Sequence, residues 1–167
     1  MTIKVLVADD QPLIRAGISA LLAAAPDMEV VAQAGICTVV TVVAQHRPGV
    51  VVLGVPDGHT DLISEILAQG AGRVVFVPSQ CTVRLLRDAL LAGAAGCLLK
   101  ATAPTTLVGV VRAVALTGTW IDPTLVEDLL RELSNLPNSG NSPGMPERLT
   151  PREQEILVLM AQGLSNC

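Results

Sequence analysis

Five short apolar runs, Ile3 to Ala8, Glu29 to Gln33, Val50 to Gly54, Arg73 to Val77 and Gly96 to Leu99, recur at intervals that each leave room for one helix. Runs rich in Val, Ile and Leu, rather than alternating with polar residues, are the mark of strands buried on both faces, which in practice means parallel strands. The intervening spacing predicts helices at Pro12 to Ala24, Cys37 to Gln45, Asp61 to Ala68, Thr82 to Ala92 and Pro104 to Thr117. Such alternation implies an α/β fold, a doubly wound five-stranded parallel sheet. Right-handed crossovers then cover both faces in the strand order 2-1-3-4-5.

Local signals agree with this frame. Pro12 suits a first helical turn, where a missing N–H costs nothing, and Gly70 and Gly93 suit helix ends in the left-handed conformation. The segment Cys37 to Gln45 conflicts with it, because Thr-Val-Val-Thr-Val-Val is β-branched and favours a strand by propensity. It is read as a helix because a crossover is required there.

Composition excludes several function classes. Half of the 167 residues are hydrophobic and 16% are charged, which rules out disorder, while the single Phe76, the single Trp120 and the absence of Tyr leave no aromatic platform for stacking bases or sugars. The longest apolar stretches, such as Ala89 to Leu99, are too short to span a bilayer, so no membrane association is expected. Asp9 and Asp10 interrupt the N-terminal apolar run where a signal peptide would continue. Cys37, Cys81, Cys97 and Cys167 are scattered, without C-x-x-C or a His pair, and are expected to be reduced thiols in a cytoplasmic protein. His46 and His59 lack partners at catalytic spacing. No nucleophile converges with a base, so an enzyme is not expected.

After Gly118 the pattern changes. Asp122 and Pro123 can start a connector helix with Leu125, Val126, Leu129, Leu130 and Leu133 on one face, and Ser134 to Arg148 is a Pro/Gly/Ser/Asn-rich linker. At Leu149 a new all-α unit opens: Thr150 and Glu153 form a T-x-x-E capping box, Pro151 takes the first helical position, Gly163 can end the helix and Ser165 can cap the next. The expected organisation is 1–118, 119–148 and 149–167. Residues 119–167 carry three basic and seven acidic side chains, no footprint for a phosphate backbone.

In a doubly wound sheet, chemistry collects where the C-terminal strand ends meet the topological switch point. The first strand delivers Asp9 and Asp10 there, the third Gly54, the fourth Pro78 and Ser79, and the fifth Lys100. Two adjacent carboxylates facing a lysine could hold Mg²⁺ and an anion.

This constellation resembles the flavodoxin-like receiver domain of bacterial response regulators. Val5-Leu6-Val7-Ala8-Asp9-Asp10, Arg47-Pro48, Ala92-Gly93-Ala94-Ala95-Gly96 and Leu98-Leu99-Lys100 stand in the matching order and spacing over residues 1–118. From Leu149 onward, Thr150, Arg152, Glu153, Glu155, Leu157, Ala161, Gly163, Ser165 and Asn166 resemble the opening of a LuxR-type helix-turn-helix. Receiver plus that module is the NarL/FixJ arrangement. The resemblance implies a transcription regulator acting as a homodimer on DNA, paired through its first and last receiver helices. It also implies that residues 1–167 alone, which hold a scaffold helix but no recognition helix, show no specific DNA affinity.

Departures from the pattern carry further expectations. The resemblance places a phosphoacceptor aspartate where this chain has Gly54, a Thr or Ser hydroxyl where it has Pro78, and an aromatic rotameric switch where it has Cys97. Acceptor, hydroxyl and aromatic are all absent, and a carboxylate is lost from the Mg²⁺ shell, leaving weak binding at most through Asp9 and Asp10. Asp57, three residues along the loop, is a poor substitute because in-line transfer tolerates errors on the order of 1 Å. The expected regulator works independently of phosphorylation, has no obligatory histidine kinase, and either freezes one conformation through Lys100 and an aspartate or holds a small-molecule ligand in the space beside Gly54. The alternative reading is a stand-alone pseudo-receiver acting as a protein-protein interaction module.

Overall fold

In the computed structural model, the described residues are 1–55, 59–101, 104–123, 125–127 and 130–131. Over the described residues up to Ile121, six strands and five helices alternate: β1 (Ile3–Asp9), α1 (Pro12–Ala23), β2 (Met28–Ala34), α2 (Val39–His46), β3 (Val50–Gly54), α3 (Asp61–Ala68), β4 (Arg73–Phe76), α4 (Val83–Leu91), β5 (Gly96–Cys97), α5 (Pro104–Thr117) and β6 (Trp120–Ile121). All strand pairings are parallel, in the order β2-β1-β3-β4-β5-β6.

The five expected strands and their order are observed, and the expected count is corrected by one. β6 extends the sheet beyond β5, with Trp120 N–H donating to Ala95 O at 2.9 Å and Asp122 N–H to Cys97 O at 3.2 Å. The turn that permits it is at Gly118, whose φ of 103° is in the region that a side chain resists. A two-residue strand has no periodicity to read, and here it is overprinted by the Asp122-Pro123 helix-start signal. The compact unit accordingly runs from Met1 to Asp122.

The sheet core follows from the apolar runs. Val5, Leu6 and Val7 of β1, Val50 to Leu53 of β3 and Val74 to Phe76 of β4 are all buried, on both faces. Burying one such side chain contributes about 1.5–3 kcal/mol. The same scale explains α2: its β-branched residues each cost a few tenths of a kcal/mol in a helix, whereas Val39 and Val43, one turn apart, are wholly buried. Packing outweighs propensity. α2 stops at Arg47, in a left-handed conformation (φ 43°) whose N–H returns to Val43 O at 2.8 Å, ahead of Pro48. Gly70 and Gly93 close α3 and α4 at positive φ, as their positions suggested.

At the N-terminal end of the sheet, Arg112 of α5 grips Asp27 with two hydrogen bonds, Nε to Oδ2 at 2.6 Å and Nη2 to Oδ1 at 2.7 Å. This fork ties α5 to the turn between α1 and β2. The Arg112 guanidinium holds the Asp27 carboxyl below its ordinary value of 3.8.

Beyond Asp122, residues 123, 125–127, 130 and 131 are helical, in the region of the expected connector. Leu129 and Leu133, the linker, Thr150, Arg152, Glu153, Glu155, Gly163 and Ser165 lie outside the described residues, as does Asp57. Among the described residues no helix is long and apolar enough to cross a membrane.

Candidate functional site

Parallel pairing of β1 and β3 sets Asp9 directly beside Gly54, the last residue pair of that ladder. Backbone bonds then carry the neighbouring chains past their formal strand ends: Val77 N–H donates to Leu53 O at 2.8 Å, Leu98 N–H to Phe76 O at 3.0 Å and Lys100 N–H to Pro78 O at 2.9 Å. Asp9, Gly54, Pro78 and Lys100 are thereby gathered at one edge, with Asp10 following Asp9 and turned toward Ile36 N–H. Pro78 is buried, and Ser79 points out to solvent.

Asp9 is 1% exposed. Oδ1 accepts from Gln11 N–H at 2.8 Å, and Lys100 Nζ lies 2.6 Å from Oδ2. The ammonium approaches Oδ2 outside hydrogen-bond alignment, so this buried oxygen has a charge partner but no hydrogen-bond donor. Lys100 donates instead to Gln11 Oε1 at 3.2 Å, and Arg15 Nη1 donates to Asp9 O at 2.5 Å.

Gly54 explains why the carboxylate can take this position. A Cβ at residue 54 would overlap Asp9 Oδ2 and would come within 3.0 Å of Asp9 Cγ and 3.1 Å of Lys100 Cε. The space beside Gly54 is thus occupied by Asp9 and the stem of Lys100. Of the two expectations for this space, the ion pair of Lys100 with an aspartate is the arrangement seen, and a ligand beside Gly54 would first have to separate that pair. A cavity of about 210 Å³ lies on the α1 and α5 side, lined by Leu13, Ile14, Gly17, Leu98, Lys100 and Leu107 among others.

The arrangement does not suit Mg²⁺. Both Asp9 oxygens are engaged, Oδ2 by a cation, and Asp10 Oδ1 turns to accept from Ile36 N–H at 2.8 Å. Gly54 supplies no carboxylate, and among the described residues no group of three or more His, Cys, Asp or Glu side chains could hold a metal. An ion that demands near-ideal octahedral oxygen ligation finds an ammonium in its way.

Three participants escaped the sequence reading. Gln11 and Arg15 stand one helical turn apart at the head of α1, a spacing that could have flagged them as partners of the acidic pair. The third is Cys81, whose Sγ lies 3.9 Å from Sγ of the buried Cys97. Nothing in a separation of 16 residues announces that contact.

Residues 5–112 match the response regulator receiver domain. This chain belongs to the response regulators. Among similar proteins, the oxygen regulatory protein NreC of Staphylococcus carnosus is 34% identical over 172 residues, covering 98% of this chain and 79% of that protein. The DNA-binding transcriptional activator DevR/DosR of Mycobacterium tuberculosis is 30% identical over 174 residues, covering 98% and 76%. The signal receiver domain of the NarL response regulator from Mycobacterium tuberculosis superposes with a TM-score of 0.64 at 26% identity, covering 68% of this chain and 96% of that one. A LuxR-family regulator from Aurantimonas sp. SI85-9A1 (TM-score 0.72, 24% identity, 80% and 99% covered) shares the fold. The branch is therefore the NarL/LuxR type, as the sequence motifs indicated. Response regulators of this type are typically transcription regulators without enzymatic activity, and this chain carries their receiver architecture over Met1 to Asp122.

Proposed function

We propose that this response regulator controls transcription through a receiver that does not use aspartyl phosphorylation. In this reading, Gly54 stands at the acceptor position, no histidine kinase is obligatory, and the receiver serves as a dimerisation module. DNA contact falls to the complete helix-turn-helix domain that begins at Leu149. Coverage of 98% of the chain by relatives that include a DNA-binding activator favours this over a stand-alone interaction module.

One observation carries the phosphorylation-independent part. The Asp9 carboxylate lies where a side chain at residue 54 would begin, locked there by Lys100 at 2.6 Å. A phosphoryl group arriving at this edge meets neither a nucleophile on β3 nor an assembled Mg²⁺ shell, and Pro78 offers no hydroxyl. Phosphoryl transfer depends almost wholly on such positioning and charge compensation. The dimerisation part is supported by apolar side chains left in solvent: Leu13 (84% exposed), Ile14 and Leu21 on α1 and Leu116 (72%) on α5. Large apolar side chains exposed on α1 and α5 are suited to protein contact.

Intact-mass spectrometry after incubation with Mg²⁺ and acetyl phosphate tests the proposal, with a conventional receiver labelled in parallel. The expected result is no adduct. A stoichiometric phosphoryl adduct, stable to acid and labile to base, overturns it.

A further inference from the structure

Among the described residues, Cys81 and Cys97 form a pair of neighbouring thiols that has no part in the site described above. Cys97 belongs to β5, where its backbone pairs with Phe76 on one side and Ile121 on the other, and its side chain is wholly buried. Cys81 is half-buried in the segment joining β4 to α4, immediately before Thr82, whose hydroxyl accepts from Leu85 N–H and caps the helix. The two sulfurs are 3.9 Å apart. A disulfide needs about 2 Å, so the gap to close is about 2 Å as well. The anchored strand holds Cys97 still, and the irregular segment carrying Cys81 can supply the movement.

The geometry points to a reversible disulfide between Cys81 and Cys97 as a redox modification site of this receiver, formed by a hydroperoxide oxidant. The inference does not depend on how the protein responds to phosphoryl donors. Cys81 is the accessible thiol and reacts first: its thiolate attacks the peroxide, the O–O bond breaks, hydroxide departs as water after taking up the Cys81 proton, and Cys81 becomes a sulfenic acid. Cys97 sulfur then attacks the Cys81 sulfur as its own proton leaves, the S–O bond breaks, and a second water is released. Two thiols are oxidised and one hydrogen peroxide is reduced to two waters. The order of attack matches the local electrostatics, since the hydrogen bond with Cys81, reinforced by burial, pushes the Cys97 thiol up and keeps its proton in place. The product would tether the head of α4 to β5, the strand that β6 joins through Gly96–Trp120 and Cys97–Ile121.

The test uses the full chain carrying Cys37→Ser and Cys167→Ser, so that only this pair can react. The protein is oxidised with hydrogen peroxide, residual thiols are trapped with N-ethylmaleimide, and intact mass and a non-reducing tryptic map are recorded. The expected species is monomeric, two hydrogens lighter and without maleimide, with the peptides 74–84 and 88–100 joined. Dithiothreitol should restore both thiols, and Trp120 emission should change with the cycle. Further substitution Cys81→Ser must abolish the link; being half-buried, that site tolerates the change even where Cys97→Ser impairs folding. Two maleimide adducts after oxidation, a disulfide between two molecules, or sulfinic acid at Cys81 without a link would each overturn the inference.

Discussion

Replacing Gly54 by Ala asks whether the ion pair depends on the missing side chain. The backbone raises no objection, since Gly54 lies in β3 and is not among the positive-φ glycines. Alanine in place of a strand glycine should then stabilise by about 0.5–1 kcal/mol. The new Cβ, however, would overlap Asp9 Oδ2 and crowd Lys100 Cε at 3.1 Å. Asp9 must rotate, which opens the 2.6 Å contact to Lys100. Breaking a fully buried ion pair costs about 3–5 kcal/mol. Lys100 keeps 14% exposure and Gln11 Oε1 as a partner, which reduces the penalty to about 2 kcal/mol. The net loss is about 1–1.5 kcal/mol, or roughly 4–6 °C in melting temperature at about 4 °C per kcal/mol. With Asp9→Ala as background the overlap with the carboxylate disappears, and the remaining 3.1 Å approach is to the far end of the flexible Lys100 side chain, which can shift, so the same substitution should raise stability by about 0.5–1 kcal/mol. Urea unfolding of the four proteins in this cycle measures a coupling of about 2 kcal/mol. If Gly54→Ala stabilises the parent protein as it does the Asp9→Ala background, Asp9 does not occupy the side-chain space of residue 54.

Other parts of the unit give independent checks. Arg112 depresses the Asp27 carboxyl, so the folded state binds fewer protons there than the unfolded chain, and the pair stabilises above the unfolded value of 3.8 and ceases to as pH falls through the lower folded value. Asp27→Asn should therefore lower the melting temperature from neutral pH down to about pH 4, with the difference closing in stronger acid; a difference that grows on acidification contradicts this. For dimerisation, Leu13→Glu together with Leu116→Glu should move the sedimentation equilibrium toward monomer while leaving the monomer's melting temperature nearly unchanged, because both side chains are already exposed. An undisturbed dimer would remove α1 and α5 from the interface.

What the sequence disclosed depended on the range of the signal. The five-run alternation, Pro12 and the glycine helix ends are local or periodic features, and strand order followed from crossover handedness, so the receiver architecture was legible. Even α2, whose Val and Thr residues argued for a strand, could be placed because the topology required a crossover that burial of Val39 and Val43 then stabilises. β6 was not legible, since two residues hold no period. Nor was the state of the site. Its members Asp9, Gly54, Pro78 and Lys100 could be named from their strand ends, but the choice of Asp9 over Asp10 as the lysine's partner rests on pairing register. Asp9 faces Gly54 across the ladder, whereas Asp10 is drawn aside by Ile36 N–H, 26 residues away.

A switch needs two arrangements whose balance an input can tip. The Asp9–Lys100 pair offers one arrangement only: both groups are largely buried, each satisfies the other's charge, and Gly54 leaves no group on β3 to compete for either. An input acting there would have to overcome the cost of an unpaired buried charge before gaining anything. A few residues away, the sulfurs of Cys81 and Cys97 have two covalent states separated by a small movement of an irregular segment. Lys100 N–H holds the chain after β5 to Pro78 O, and Cys97 precedes Lys100 by three residues, so the fixed pair and the convertible pair share the same β4–β5 framework. The ion pair supplies the rigid reference against which closure of the sulfurs would displace the head of α4. An oxidant would then act on this receiver through thiols on β5 and the segment before α4, with the sheet between the two pairs unchanged.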